Sequence, residues 1–311
     1  MKTTAYLRLV LAVMLLPALG TLAQPVSSLV PDGVLPASSP YGEALVKTNI
    51  AYLSHPTARQ NFDLYLPRKP GAQPFPLVIW VHGGAWMMGI KEWDNVKYLV
   101  GHGYAIASLD YRVSPEAPFP AQIQDCNAAM NFILAHAADY GVSAKRFVVG
   151  GGSAGGHLAL LLGLARQHRE FGADPAIKPL AILDFFGPAD LNGMKDDLQA
   201  IHSQKGIETW QDAGPKLLGA PLDQAAARAK AASPITYVSA AAPPVLILQG
   251  DEDDLVPVAQ SERLHAALDQ AGVKNQLILV PEAGHDGPMF STPDIAAKVV
   301  HFLDGVMPPP S

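Results

Sequence analysis

The chain has 311 residues, of which 49% are hydrophobic and 16% charged, so a sizeable core can form and wholesale disorder is excluded. A net charge of −6 provides no basic surface for nucleic acid. The single cysteine, Cys126, excludes an intramolecular disulfide framework, and no H-E-x-x-H or C-x-x-C spacing occurs, so we expect no metal site.

The N-terminus has the features of a secretory signal peptide. Lys2 and Arg8 precede an apolar run at 9–19, and Thr21 and Ala23 supply the small residues expected before a cleavage site. An uncleaved anchor is the alternative, but the run is shorter than the roughly 20 apolar residues that a span needs. Residues 1–23 are therefore predicted to be removed, giving a periplasmic or secreted protein without membrane attachment.

Strands and helices alternate along the remaining chain. After an irregular arm at 24–45, an α/β domain is predicted at 46–305, followed by a tail at 306–311. The hydrophobic pattern predicts strands at 58–65 (at a sheet edge), 76–81, 104–109, 146–149, 180–186, 245–249 and 276–280, and helices at 121–138, 154–166, 261–271 and 293–302. This alternation is typical of a mostly parallel sheet with helices on both faces.

An insertion at about 190–232 interrupts this alternation. It is rich in Ala, Gln and Asp, and Pro215 and Pro221 divide it into short helical stretches. Its position between a buried strand and the acidic run at 251–254 predicts a small cap over a site at the sheet edge. A surface excursion without a role is the alternative.

The glycine-rich stretch around Ser153 carries the first chemical signal. Gly151 and Gly155 flank this serine in the G-x-S-x-G pattern of a nucleophile elbow, between a buried strand and a helix. The same letters also fit the dinucleotide pattern G-x-G-x-x-G, and a tight turn without chemistry is a third interpretation. The dinucleotide interpretation requires an acidic residue at the end of a second strand about 20 positions on. Glu170 and Asp174 lie instead in a polar stretch that is no strand.

Other strand ends supply partners that a serine nucleophile needs. His82-Gly83-Gly84-Ala85 follows a buried strand, and its backbone N–H groups, with that of Ala154, are predicted to hold an oxyanion. The four acids at 251–254 follow the strand predicted at 245–249, and His285 follows the strand predicted at 276–280. Together with Ser153 they occur in the order Ser, Asp, His that α/β-hydrolases use. This joint pattern disfavours the dinucleotide interpretation.

The chain therefore resembles the secreted α/β-hydrolase esterases related to hormone-sensitive lipase and to the bacterial feruloyl and acetyl-xylan esterases, the BD-FAE group. The resemblance runs from about residue 61 to 302 and rests on His82-Gly83-Gly84-Ala85-Trp86, Asp110-Tyr111-Arg112, the elbow, Ala232-Ser233-Pro234-Ile235, Gly250-x-x-Asp253 and Gly284-His285. One departure is Ala85, where many relatives carry a third glycine.

The resemblance implies a catalytic triad of Ser153, Asp253 and His285, with Asp251 and Asp254 as the alternative acids. The N–H groups of Gly84, Ala85 and Ala154 would form the oxyanion hole, and no cofactor is implied. Asp110, Arg112 and Asp125 are expected to brace loops behind the site. Trp86, Met87 and Met88 either shape the substrate pocket or pack under the cap.

The expected function is a secreted serine carboxylesterase for short-acyl esters, with a small molecule or an acetylated or feruloylated plant carbohydrate as substrate. A formamidase or peptidase could use the same triad on an amide. A binding protein that keeps a hydrolase fold is a third hypothesis, which the complete set of triad residues disfavours. The sequence does not indicate an oligomeric state.

Overall fold

The computed structural model describes residues 33–35, 38–39, 42–68 and 74–307; the predicted signal peptide at 1–23 and residues 308–311 of the predicted tail lie outside the described residues. The strands are β1 Gly33–Leu35, β2 Ala44–Ala51, β3 Asn61–Pro67, β4 Phe75–Val81, β5 Ala105–Leu109, β6 Val142–Gly152, β7 Ile182–Phe185, β8 Val245–Gly250 and β9 Asn275–Val280. The α-helices are α1 Ala121–Ala135, α2 Ala137–Tyr140, α3 Ala154–Leu164, α4 Met194–Ala200, α5 Gln204–Leu218, α6 Ala226–Ala232, α7 Val258–Gln270 and α8 Pro293–Val306.

These strands form one sheet in the order β1-β2-β3-β5-β4-β6-β7-β8-β9. Six neighbouring strands run parallel, namely β5, β4, β6, β7, β8 and β9. On the other side of β5, the strands β3, β2 and β1 extend the sheet in antiparallel fashion. Helices α1, α3 and α7 pack on one face, while α8 and a 3₁₀ turn at Lys97–His102 pack on the other. The predicted mostly parallel α/β sheet with helices on both faces is confirmed.

The strand predicted at the sheet edge is wrong in its position. β3 begins at Asn61 rather than at residue 58, and it lies between β2 and β5, buried on both faces. Its alternating pattern arises from Asp63, which is fully buried and accepts a hydrogen bond of 2.8 Å from the Asn49 N–H. The Lys91 ammonium lies 3.5 Å from the same carboxylate. A buried, paired carboxylate thus produced a pattern that is typical of a half-exposed strand.

The arm predicted as irregular over 24–45 is not irregular throughout. Gly33–Leu35 pairs with β2, which itself begins at Ala44 and pairs with β3. These main-chain hydrogen bonds order a segment whose composition alone predicts a loop. The helix predicted at 121–138 is interrupted at His136 into α1 and α2, and β6 begins four residues earlier than predicted, at Val142.

The insertion at 190–232 forms helices α4, α5 and α6. Helix α5 begins at a capping serine, Ser203, whose hydroxyl accepts a hydrogen bond from the Gly206 N–H. The Arg263 guanidinium of α7 bonds both carboxylate oxygens of Asp197 in α4, which fixes the base of the insertion to the domain. Within the described ranges, no helix combines the length and apolar character required to cross a bilayer.

Candidate active site

The carboxyl ends of the central parallel strands lie side by side at one edge of the sheet. The register pairs Val81 of β4 with Gly151 of β6, and Gly152 with Phe185 of β7. On the far side, β8 ends at Gly250, which pairs with Val280 of β9. Four features follow these strand ends: the glycine loop (residues 82–86), Ser153, the acidic loop (residues 251–254) and His285. The topology therefore gathers them on one edge of the sheet, as in other open α/β sheets.

The turn between β6 and α3 holds Ser153 in a strained conformation. Its φ of 56° and ψ of −122° place a non-glycine residue in a region that L-residues rarely occupy. A Cβ on Gly151 would lie 2.3 Å from the Gly155 carbonyl oxygen, and a Cβ on Gly155 would lie 2.0 Å from that of Val81. Both glycines of the G-x-S-x-G pattern are therefore required by close backbone contacts, which leave the Ser153 hydroxyl partly exposed.

Ser153, His285 and Asp253 form a continuous hydrogen-bonded relay. The His285 Nε2 atom lies 2.8 Å from Ser153 Oγ, and its Nδ1 atom lies 2.8 Å from Asp253 Oδ2. Because the Asp253 carboxylate accepts at Nδ1, that nitrogen carries the imidazole proton and Nε2 is left to accept the proton of the serine hydroxyl. The Asp253 side chain is fully buried and that of His285 is 11% exposed, so the relay is shielded except at its serine end.

Asp253 is held by four donors. Its Oδ1 accepts hydrogen bonds of 2.9 Å from the N–H groups of Leu255 and Val256, and its Oδ2 accepts from Gln249 as well as from His285. Gln249 is in turn fixed through its carbonyl oxygen by the Ser261 hydroxyl. Gln249 is not among the residues predicted from the sequence, although a glutamine at the end of an apolar strand is a visible signal.

The two alternative acids do not face His285. Asp251 is exposed, and Asp254 points toward the insertion, where its carboxylate meets the Lys205 ammonium at 3.1 Å. The Asp254 carbonyl also accepts a hydrogen bond from Ser203 at the start of α5. The acidic loop therefore contributes Asp253 to the relay and Asp254 to the anchoring of α5.

The glycine loop after β4 packs directly on the serine turn. A Cβ on Gly83 would lie 3.2 Å from Ser153 Cβ, so only glycine lets the two segments approach this closely. Gly84, Ala85 and Trp86 follow with φ values of 110°, 51° and 59°. The positive φ at Ala85 is a conformation that glycine adopts without strain and that an alanine adopts less readily. Within the described part of the chain, the N–H groups of Gly84, Ala85 and Ala154 make no hydrogen bond, and all three residues line the cavity at Ser153.

A set of buried polar contacts supports this loop from behind. The His82 ring stacks on Tyr111 at 4.4 Å and contacts Asp110 through Nε2 at 3.1 Å. Asp110 also accepts from the Tyr111 N–H, and Arg112 makes two side-chain hydrogen bonds to the buried Asp125. None of these side chains lines the cavity at Ser153, and their contacts match the bracing that was predicted for Asp110, Arg112 and Asp125.

A second histidine, His157, joins three segments around the serine turn. The Trp86 indole N–H donates to His157 Nδ1 at 3.1 Å, and His157 Nε2 lies 2.7 Å from the Ala232 carbonyl oxygen at the end of α6. Because Nδ1 accepts from Trp86, Nε2 is the protonated nitrogen that donates to Ala232. Full burial lowers the pKa of His157 to about 4, so the ring is neutral at pH 7. His157 is not among the residues predicted from the sequence.

A buried acid lies beneath the first turn of α3. The Asp184 carboxyl on β7 accepts a 3.0 Å hydrogen bond from the Gly187 N–H through Oδ1, while Oδ2 has no partner among the described residues. A Cβ on Gly156 would lie 2.6 Å from Oδ1, so the carboxyl packs tightly against α3. Burial raises the pKa of Asp184 to about 8, and the group is mostly protonated at pH 7.

Ser153 opens into a cavity of about 740 Å³, here named the site cavity. One wall comes from the glycine loop and the residues after it, including the predicted pocket residues Trp86 and Met87 and their neighbour Met88. Helix α5 forms another wall with Thr209 and Trp210, so the insertion contributes to the lining of the site cavity. Among the described residues, no group of three or more His, Cys, Asp or Glu side chains could hold a metal ion.

The chain is similar to proteins that are named as esterases. Esterase LipQ of Mycobacterium tuberculosis is 32% identical over 256 residues, which cover 76% of this chain and 56% of LipQ. A probable isoprenylcysteine alpha-carbonyl methylesterase of Arabidopsis thaliana is 26% identical and covers 82% of this chain and 53% of its own length. The chain thus spans about half the length of the curated relatives that it matches.

Solved structures extend the similarity to nearly the whole fold. A truncated carbohydrate esterase from gut microbiota superposes with a TM-score of 0.74 at 27% identity, covering 88% of this chain and 99% of that protein. Esterase B from Lactobacillus Rhamnosis (HN001) has a TM-score of 0.74 at 22% identity, covers 85% of this chain and 86% of its own, and supports the α/β-hydrolase fold. The BD-FAE family model matches residues 62–268, a segment that contains the glycine loop, Ser153 and Asp253. The chain belongs to the BD-FAE family of α/β-hydrolases.

Proposed function

We propose that this protein is a serine carboxylesterase that acts through Ser153, His285 and Asp253. The observation that carries the proposal is the unbroken relay from Ser153 Oγ through His285 to Asp253, with 2.8 Å at each step. His285 Nε2 takes the hydroxyl proton as Ser153 Oγ attacks the ester carbonyl carbon. Asp253 holds the imidazole with Nε2 toward the serine and stabilises the imidazolium that forms.

The N–H groups of Gly84, Ala85 and Ala154 bind the oxyanion of the tetrahedral intermediate. Collapse of this intermediate breaks the bond to the alcohol oxygen, which leaves with the proton from His285 Nε2. A water molecule then attacks the acyl-enzyme, gives its proton to His285, and releases the carboxylic acid as Ser153 regains its hydrogen. His285 transfers every proton in this catalytic cycle, and none of the steps requires a cofactor.

The substrate that we propose is a short-acyl ester, with acetyl or feruloyl esters of plant carbohydrate as the favoured class. A cavity of about 740 Å³ is in the range of small-molecule sites, and Met88 and Trp93 are exposed apolar side chains in its lining. The similarity to a carbohydrate esterase from gut microbiota supports this class. Small-molecule esters are the alternative within the same activity.

An amide substrate is the second candidate, because a formamidase or peptidase would use the same relay. The names of the relatives favour esters, since LipQ and the methylesterase are both described as ester hydrolases. Comparing kcat/KM for an acetate ester and for the matching acetamide separates the two activities. A purely binding role is disfavoured by the intact relay and by the open cavity at its serine end.

Hydrolysis of p-nitrophenyl acetate by the wild type and by Ser153→Ala tests the proposed function. Loss of the nucleophile is expected to lower kcat by about 10⁶-fold. Ser239→Ala is the matched control, because Ser239 is exposed and makes no side-chain hydrogen bond among the described residues. Equal slow hydrolysis by the wild type and by Ser153→Ala would refute the serine mechanism.

Export to the periplasm or the medium is also proposed, from the N-terminal pattern at 1–23. Expression of the full chain followed by cell fractionation and N-terminal sequencing tests it. A mature N-terminus near Gln24 in the periplasm or medium is the expected result. An intact N-terminus in the cytoplasm would exclude export.

A further inference from the structure

Helix α5 separates the site cavity from a second cavity inside the insertion. This second cavity, here named the cap cavity, has a volume of about 860 Å³ and lies among α4, α5 and α6. Its apolar lining includes Leu198, Ile207, Leu218 and Leu222. Trp210 lines both cavities, and among the described residues the two linings share no other member.

The indole of Trp210 is held between these cavities by packing. The residue is only 5% exposed, and its Cζ2 and Cη2 atoms lie 3.2 Å from the position that a Cβ on Gly214 would occupy. The glycine one helical turn further along α5 thus leaves room for the ring to lie against the helix. The Leu222 side chain, part of the cap cavity, reaches the same point. The indole N–H makes no hydrogen bond to a described residue, so packing alone fixes the ring.

The cap cavity has the chemistry of a hydrocarbon site. Ten of its fifteen described lining residues are apolar and five of these are leucine or isoleucine, while the other five lining residues are Asn192, Lys195, Gln211, Lys216 and Asp223. Its volume alone is comparable to that of a small-molecule site. An alkyl chain that entered it would leave water for an apolar surface, which is favourable. With Trp210 in place, a chain that extends from Ser153 toward α5 meets the indole before it can reach this surface.

We propose that Trp210 sets the length of the hydrocarbon chain that an ester can carry when it is bound at Ser153. The inference rests on the proposed esterase function. The indole ends the site cavity at α5, so a short chain fits and a long one is excluded by steric overlap. Removal of the ring joins the two cavities and admits a longer chain. Trp210 is therefore a specificity-determining residue, while the relay carries the chemistry.

The test compares kcat/KM for two ester series in the wild type and in Trp210→Ala. One series varies the acyl chain as p-nitrophenyl acetate, butyrate, octanoate and decanoate, and the other varies the alcohol as methyl, butyl and octyl acetate. We expect the octanoate-to-acetate ratio, or the octyl-to-methyl ratio, to rise at least about tenfold in the variant, the size of effect that small changes in pocket volume produce. A ratio that stays within about twofold of the wild type in both series would overturn the inference.

Two further variants make the test decisive. Leu218→Ala enlarges the cap cavity about two helical turns beyond Trp210 on α5 and leaves the packing around the indole in place, so its ratios should equal those of the wild type; the same rise in this variant would also overturn the inference. Trp210→Leu is the replacement if circular dichroism shows that Trp210→Ala does not fold, because leucine keeps part of the apolar packing. A wild type that hydrolyses none of these esters refutes the proposed function itself, and an active wild type with unchanged variant profiles refutes the inference alone.

Discussion

Replacement of Asp184 by asparagine should make the protein less sensitive to alkaline pH. In the fold this carboxyl is fully buried beneath α3, with one hydrogen bond, and burial raises its pKa from 3.8 to about 8. Between these two pH values the folded chain therefore keeps a proton that the unfolded chain has released. Stability falls as pH rises through any interval in which the native state binds more protons than the unfolded state.

The size of this effect follows from the width of the interval. Each pH unit within it costs about 1.4 kcal/mol, so the loss between pH 5 and pH 8 is about 4 kcal/mol. Above the folded pKa both states are ionised and the cost is constant. The amide of the Asp184→Asn variant would be uncharged at all these pH values, and its carbonyl oxygen could still accept from the Gly187 N–H. The unfolding free energy of this variant minus that of the wild type should therefore increase as pH rises to about 8 and then level off.

Urea unfolding at pH 5, 6, 7, 8 and 9, followed by tryptophan fluorescence, would measure the difference between variant and wild type. Asp251→Asn is the matched control, because Asp251 is exposed and its replacement should shift the unfolding free energy by a small, nearly constant amount. A difference between Asp184→Asn and the wild type that is flat from pH 5 to pH 9 would show that Asp184 is ionised in the fold and would refute the reasoning.

Three other variants address the relay and its supports. Asp253→Asn should lower kcat by about 10⁴-fold, as in serine proteases, because an amide does not hold His285 with Nδ1 protonated; activity near that of the wild type would exclude this role. Gly84→Ala should reduce kcat about 10²-fold or more, because its Cβ would lie 2.3 Å from the Met88 carbonyl oxygen and displace an oxyanion donor. The control Gly101→Ala, whose Cβ would lie in open space, should leave kcat unchanged. On acidification from pH 6.5 to pH 5, the unfolding free energy of His157→Gln should fall by about 2 kcal/mol less than that of the wild type. Burial lowers the pKa of His157 to about 4, so only the unfolded wild type gains a proton on this residue in that interval. Equal changes of unfolding free energy with pH in the two proteins would contradict this.

The candidate site was predictable because its chemistry imposes local patterns. The strained backbone at Ser153 needs glycine at 151 and 155, and the loop that packs on it needs glycine at 83, so the sequence shows these constraints directly. The choice among the acids at 251–254 was harder. The resemblance to the BD-FAE group implied Asp253, whereas the structure distinguishes it by its burial and by its contact with His285, which lies 32 residues further along the chain.

The parts that sequence reasoning missed depend on contacts between distant segments. The strand at Asn61–Pro67 looked half exposed because its buried aspartate is satisfied by a backbone N–H 14 residues earlier. The role of His157 requires Trp86 and Ala232, which lie 71 and 75 residues away. Trp210 lies between the site cavity and the cap cavity only because α4, α5 and α6 fold around the cap cavity. Hydrophobic periodicity contains no information about such partners.

The position of β9 at the end of the sheet has a consequence for how the protein loses activity on heating. Among the described strands it pairs with β8 alone, and the loop that follows it carries His285. A partial opening that detaches β9 and the loop after it would break fewer main-chain pairings than disruption of the central strands, so we expect it at a lower free energy than global unfolding. In that open form Ser153 keeps its turn and its oxyanion donors but has no base. Inactivation is thus expected to follow the amide-exchange rates of this terminal unit and to begin below the temperature at which the central sheet melts.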